Sequence, residues 1–383
     1  RGQDPAPRMD AALSEIRQAL KIRPDSPNYW NWLGIFLKTA AEYKLGQGII
    51  DQEMIGQSLD ASRRALQLRP NNPKAYNCIG ATCRLKAFAA MLEGGDQRPP
   101  LREAVTALEE AHRLNPDYPD PYLNLALIYQ DLTLYELNYG LDPRDSARQA
   151  MSWCEQAIRR APQNAYLTVV RSGILLALAM FELNTGGDGQ AIHRNLTAAQ
   201  AAVEANPRNA HAHMQLSQAN QLLARWRMRR GEDPAAVIRT AEAAGERTVA
   251  LDAGNPYGYH SLAGAWLAEA EWAVRQGKDP GRSLAEAERF ARRCVRMIPA
   301  DIEMTLLLAQ VTRWQAEAAL AGGRDPGGPA RQGLALLDAA AGMDPREARV
   351  PALQAEIRLI LARAGSDPEQ VRSEAGQAAA LFE

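Results

Sequence analysis

The sequence predicts an all-α fold: a right-handed α-solenoid of antiparallel helix pairs, read as one array across residues 1–383. Three observations predict it. A Gly-x-Asp-Pro motif returns with a period of about 46 residues. A breaker of the Leu-x-Pro type returns with the same period, and small residues keep fixed places ahead of each breaker. Strand-like alternation of apolar and polar residues is absent.

The motif stands at Gly2–Pro5, Gly140–Pro143, Gly231–Pro234, Gly277–Pro280, Gly323–Pro326 and Gly365–Pro368. Degenerate copies lie at Gly48–Asp51, Gly94–Asp96 and Gly186–Asp188. Physically it is a helix stop followed at once by a helix start. Glycine accepts the left-handed conformation that closes one helix, aspartate caps the next, and proline suits its first turn. The second helices of the pairs are therefore expected near 5–22, 51–68, 99–114, 143–160, 190–205, 234–252, 280–297 and 326–342, with a partial unit at 368–383.

These helices end at breakers such as Leu68–Pro70, Leu114–Pro116 and Met297–Pro299. Five residues before each breaker sit Ala19, Ala65, Ala111, Ala157, Ala202, Thr248, Cys294 and Ala340. Twelve before it sit Ala12, Ser58, Ala104, Ala150, Asn195, Ala241, Ala287 and Gly333. Small side chains at these places let helices press together. The first helix of each pair opens after the breaker with an aromatic or bulky residue, an apolar one three later and then a small one. Trp30–Leu33–Gly34, Tyr76–Ile79–Gly80, Tyr122–Leu125–Ala126, His213–Leu216–Ser217 and Tyr259–Leu262–Ala263 show it. Residues three or four apart share a helix face, so these form a packing stripe.

An aromatic-x-x-Leu-Gly first helix, followed by small residues before a terminal Leu-x-Pro, resembles the tetratricopeptide repeat (TPR) along essentially the whole chain. The usual TPR unit has about 34 residues, so here each helix is expected to be one to two turns longer. HEAT-type pairs match the length but do not account for the small-residue and Leu-x-Pro signature. The resemblance implies a TPR-like superhelix whose first helices line a groove for a peptide or partner helix. Carried onto this sequence, the groove positions are Asn31, Lys38, Asn77, Arg84, Gln130, Arg171, Gln218, Gln221, Arg313 and Arg358, a polar, mildly basic stripe suited to an acidic segment. The clamp with which chaperone-binding TPRs hold a C-terminal carboxylate is not reproduced. The long unit with its Gly-x-Asp-Pro junctions also resembles the arms that follow the catalytic domain of some bacterial serine/threonine protein kinases.

Composition narrows the function classes. The 44 basic and 45 acidic residues leave a formal charge of −1, so no global field draws in nucleic acid or an anionic membrane. Hydrophobic residues at 46% are ample for a core. Cys78, Cys83, Cys154 and Cys294 form no CxxC pair, which points to buried thiols in a reducing, cytoplasmic setting. Continuous apolar runs such as Gly173–Phe181 are about half of what a bilayer needs, so no membrane insertion is expected.

No chemistry-bearing motif emerges. The paired glycines lack the lysine and strand context of a phosphate loop, no HExxH is present, and no Gly-x-Ser-x-Gly elbow exists. Kinase elements are absent within these residues. The cluster Arg225, Arg227, Arg229 and Arg230 precedes a helix-ending glycine, where the helix dipole favours cations, and is read as a solvated helix end. Neither a cofactor nor a metal is expected. The function expected is a non-catalytic interaction scaffold, its partner a protein, a peptide or another part of its own parent chain. The alternatives are a regulatory arm of a bacterial signalling enzyme and a small-molecule sensor.

Overall fold

The computed structural model describes residues 5–365, 373–374 and 376–377. Within them lie sixteen α-helices and no strand, which meets the all-α expectation. The odd-numbered helices are α1 (Ala6–Ile22), α3 (Gln52–Leu68), α5 (Arg98–Leu114), α7 (Arg144–Arg160), α9 (Gln190–Ala205), α11 (Ala235–Leu251), α13 (Gly281–Met297) and α15 (Gly327–Met343). The even-numbered ones are α2 (Pro27–Gly46), α4 (Pro73–Leu92), α6 (Asp120–Asn138), α8 (Tyr166–Thr185), α10 (Ala210–Arg229), α12 (Pro256–Arg275), α14 (Ile302–Ala321) and α16 (Arg349–Ala364). The expected partial unit at 368–383 lies, but for four residues, outside the described part.

The helix junctions follow from their residues. Gly48, Gly94, Gly140, Gly186, Gly231, Gly277 and Gly323 all take positive φ, between 65° and 79°, where a side chain would be strained. The aspartate then caps across the proline. Asp142 accepts from the Arg144 backbone N–H at 3.0 Å, Asp233 from Ala235 at 2.9 Å, Asp279 from Gly281 at 3.0 Å and Asp325 from Gly327 at 2.8 Å. The proline thus sits just before the helix rather than inside its first turn, because the aspartate reaches the N–H two residues ahead. Gly365 differs: its φ of −68° and ψ of 136° are extended. Gly186–Gly189 lacks a proline, and there Glu182 of α8 supplies the cap, accepting from the backbone N–H groups of Gly189 (2.8 Å), Gln190 (3.1 Å) and Ala191 (2.6 Å).

The small-residue series marks the packing seam. Ala65, Ala111, Ala202, Thr248, Cys294 and Ala340 are wholly buried, as are Ser58, Ala104, Ala150, Asn195, Ala241 and Ala287. A Cβ on Gly34 would lie 2.5 Å from Ser62 Oγ and 3.2 Å from Ser58 O, so α2 and α3 meet closely enough that a larger residue would force Ser62 to move. Polar members of the seam bond to backbone across it: Ser58 Oγ donates to Gly34 O at 2.8 Å and Asn195 Nδ2 to Ser172 O at 2.9 Å. In α2, α6, α10 and α12 the bulky opening residue folds back on the preceding turn. Trp30, Tyr122 and Tyr259 donate to the carbonyl six residues earlier, and the His213 ring meets Pro207 O at 2.9 Å.

By its contacts the chain forms two compact units, Arg1–Tyr135 with Asp145–Leu167, and Glu136–Arg144 with Thr168–Glu383. In the first, Leu59, Ile79, Leu101, Leu108, Leu125 and Ile128 form the main core. In the second, Leu267, Leu284, Leu307, Val311 and Trp314 form one cluster and Leu306, Leu337, Val350 and Ile357 another. Helices α2, α4, α10, α12 and α14 each pack on the odd helix that follows. Even helices also touch one another, α2 with α4 in the first unit and α10 with α12, α12 with α14 and α14 with α16 in the second. They therefore form a continuous wall in each unit.

Two features qualify the sequence reading. Helix α8 as a whole is long and apolar enough to cross a membrane by length and composition, although its uninterrupted apolar run is short. In the fold Val169, Val170, Ile174, Leu176 and Ala177 of α8 are buried in protein. The connection between α6 and α7 belongs to the second unit. Tyr139 hydrogen-bonds to Asp344, Arg346 lies 5.1 Å from the Tyr139 ring centre, and Asn138 Nδ2 reaches Glu303 Oε1 at 3.5 Å.

Candidate binding pockets on the even helices

Each unit has a pocket on its even-helix wall. In the first, Ile35 and Lys38 of α2, Lys74, Asn77 and Ala81 of α4 and Asp120, Leu123 and Asn124 of α6 line it with Tyr118. In the second, the lining comes from α8 (Leu176, Met180), α10 (Gln218, Gln221, Leu222, Arg225), α12 (His260, Gly264), α14 (Glu303, Leu306, Leu307, Gln310) and α16 (Arg349). The second cavity holds about 140 Å³. The two pockets draw on the same places in the repeat: Ile35 and Ala81 correspond to Gln218, Gly264 and Gln310, Lys38 to Gln221, Asn77 to His260, and Lys74 and Asp120 to Glu303 and Arg349.

Most of the first pocket's polar groups have partners, whereas Lys74 is exposed and makes no side-chain pair among the described residues. Lys38 Nζ pairs with Glu42 at 2.7 Å. Asn77 accepts from Asn124 Nδ2 at 2.8 Å and donates to the Tyr118 hydroxyl at 3.3 Å. Two turns along α4 from Asn77, Arg84 donates to both oxygens of Asp131, at 2.6 and 3.3 Å. Burial works against the Arg84 charge, and the Asp131 carboxylate more than restores it, so its pKa lies above the usual value.

In the second pocket one ion pair is closed. Arg349 grips Glu303 through both terminal nitrogens, Nη1 at 2.9 Å from Oε2, and also donates from Nε to Glu347 at 2.8 Å. Burial opposes ionisation of Glu303, yet the adjoining guanidinium outweighs it and holds the carboxyl below its usual range. Gln221 is held too, donating to Ser261 O at 2.8 Å and Ser217 Oγ at 3.1 Å. The remaining polar groups have no partner. Gln218, Arg225, His260 and Gln310 make no hydrogen bond or ion pair among the described residues, and Gln218 Oε1 is shielded from solvent as well. Burial pushes the His260 pKa down; Glu303 acts against this and Arg349 and Arg225 with it.

The structure thus brings Lys38 and Asn77 into one pocket and Gln218 and Gln221 into the other. The remaining positions named from sequence lie apart from these. Arg84 is paired as described, Arg313 Nε pairs with Glu356 at 2.5 Å and Arg358 with Glu374 at 3.1 Å. Asn31 and Gln130 have shielded side-chain oxygens without partners, and Arg171 is exposed. Arg225, His260, Glu303, Gln310 and Arg349 were not among them. A signal existed for His260, which follows Tyr259 as Asn31 follows Trp30 and Asn77 follows Tyr76. Arg225 differs from the solvated helix end its cluster suggested: it is half-buried in the pocket, whereas Arg229 and Arg230 are exposed.

Long antiparallel pairs, a small-residue seam and a wall of first helices make up an all-α, TPR-like stack of helix pairs. Residues 101–132 match the TPR repeat family. Among solved structures the chain is similar to a human IFIT1 dimer with m7Gppp-AAAA, at 14% identity over 97% of this chain and 76% of that one, with a TM-score of 0.52. It is similar to a tetratricopeptide repeat protein from Parabacteroides merdae at 10% identity over 85% and 98%, TM-score 0.51. It is also similar to a thermophilic TPR protein of Thermus thermophilus at 21% identity over 63% and 98%, TM-score 0.44. No curated protein matches the sequence. TPR-type proteins serve as protein-interaction scaffolds; at these identities the structural likeness speaks for the fold.

Proposed function

We propose that the chain is a non-catalytic interaction scaffold that holds a polypeptide partner against its even-helix walls. The observation that carries this reading is the recurrence of a pocket at the same repeat positions in both units. Each pocket is lined from successive even helices at fixed repeat positions, which is what an extended partner needs in order to lie across them. Exposed Lys74 and Arg171 and the unpaired Arg225 favour an acidic segment. The test is photo-crosslinking in native lysate from probes at Lys38 and Gln221, beside probes at Arg64 and Arg247 on odd helices. One protein labelled from the wall probes alone supports the reading; equal labelling from both sets counts against it. The narrower role of regulatory arm to a bacterial protein kinase rests on the Gly-x-Asp-Pro repeat style, and a parent reading frame carrying kinase motifs is its test.

A further inference from the structure

The pocket of the second unit is incompletely satisfied in a specific way. Four polar side chains from three helices converge on it without partners: Gln218 and Arg225 from α10, His260 from α12 and Gln310 from α14. Among them Gln218 Oε1 is shielded from solvent, and a buried polar atom left unmatched costs stability unless something completes it. We infer that this pocket binds a carboxylate carried on a body the size of one amino-acid residue, with the carboxylate on Arg225. The inference rests on the even-helix wall being the binding face, and it adds the chemistry of what is bound.

Charge sets the class of ligand. Arg225 is the pocket's uncommitted cation; Arg349 is held by Glu303 and Glu347. A guanidinium offers a planar fork that suits a carboxylate. A phosphate dianion would meet one free cation and the nearby Glu303 carboxylate, so a monoanion fits and a dianion does not. Size and lining set the rest. At about 140 Å³ the cavity is close in size to one that takes up a benzene-sized group, which is room for a side chain. Leu176, Met180, Leu222, Leu306 and Leu307 give it an apolar wall. The Gln218 and Gln310 amides each offer a donor and an acceptor, which match an amide next to the carboxylate. An N-acylated apolar amino acid has all three parts, whether free or as the last residue of a peptide.

The experiment is calorimetric titration of the full chain with N-acetyl-leucine, N-acetyl-leucine amide and inorganic phosphate, repeated with Arg225→Gln and Arg225→Lys. Saturable binding of the acid in the millimolar range or tighter is expected, at least tenfold weaker for the amide, for phosphate and for Arg225→Gln, with partial recovery in Arg225→Lys. No saturable binding of the acid overturns the inference, as does equal affinity for acid and amide or for wild type and Arg225→Gln. Circular dichroism of the variants excludes unfolding as the cause of a loss. A peptide with a free C-terminal leucine separates the two sources: tighter binding with length assigns a chain end, and unchanged affinity assigns a free acid. Wall-specific crosslinking without acid binding would sink this inference and leave the scaffold reading standing; failure of both would sink both.

Discussion

The two pockets are built from the same repeat positions and differ in what their charges are doing. In the first unit Lys38 is answered by Glu42, Arg84 by Asp131 and Asn77 by Tyr118 and Asn124. In the second, Arg225, His260, Gln218 and Gln310 face a cavity unanswered. The difference teaches that repeat register places a groove without deciding whether its side chains stabilise the fold or wait for a ligand. Cross-helix pairing decides that.

The largest effect expected of a break in this comparison is at the closed pair. Arg349→Met strands the Glu303 and Glu347 carboxylates and should cost about 2–4 kcal/mol in urea unfolding, reduced from a deep-core value by partial exposure. A loss below about 1 kcal/mol would show that water already screens the pair. Ala111→Leu tests the seam that both walls depend on. Overfilling that wholly buried position should cost about 1–3 kcal/mol, and a neutral result would mean α5 can shift away from its neighbours.

Glu242 on α11 supplies a pH-dependent test in the second unit. Burial raises its pKa to about 7, the carboxylates of Glu269 and Glu246 add to the rise, and Arg282 and Arg239 oppose it. The fold therefore favours the protonated form. Its contribution is fully present below the usual carboxyl range and is lost as pH rises toward about 7. Glu242→Gln should stabilise the chain by about 1 kcal/mol at pH 8 and leave it nearly unchanged at pH 4, read from melts at the two pH values. A gain at pH 4 equal to that at pH 8 would contradict the assignment.

The smallest effect is the sharpest contrast. Arg84→Gln should destabilise by about 1 kcal/mol because it leaves Asp131 without its partner, whereas Arg225→Gln should change stability by less than about 0.5 kcal/mol. Equal losses would mean that Arg225 has a structural partner after all.

Much of the fold was legible because helix boundaries and close contacts are local or periodic demands. Gly277 must turn left-handed, Ala104 must be small, and Tyr259 must open its helix; each requirement acts on a single residue. Of the pocket, less was legible, because pairing is a competition between helices. Partners on adjacent even helices fall 46 or 47 residues apart, as in Arg84–Asp131, Asn77–Asn124 and Glu303–Arg349. By that rule Arg225 should meet Glu271. In the structure Glu271 is taken by Arg275, one turn along its own helix, at 2.8 Å. An i,i+4 pair needs no neighbouring helix to be in place, and it leaves Arg225 for something else.

The α6–α7 connection has a kinetic consequence. Nearly every contact of each unit joins residues within about one repeat, the kind that forms early because little chain must be brought together. The contacts of Asn138 and Tyr139 with Glu303, Asp344 and Arg346 join residues 165 to 207 apart. Closing a loop of that length costs entropy that only a nearly finished stack can offset. This segment should therefore dock last during folding and be the first part of the second unit to exchange its amide hydrogens, ahead of any loss of helix.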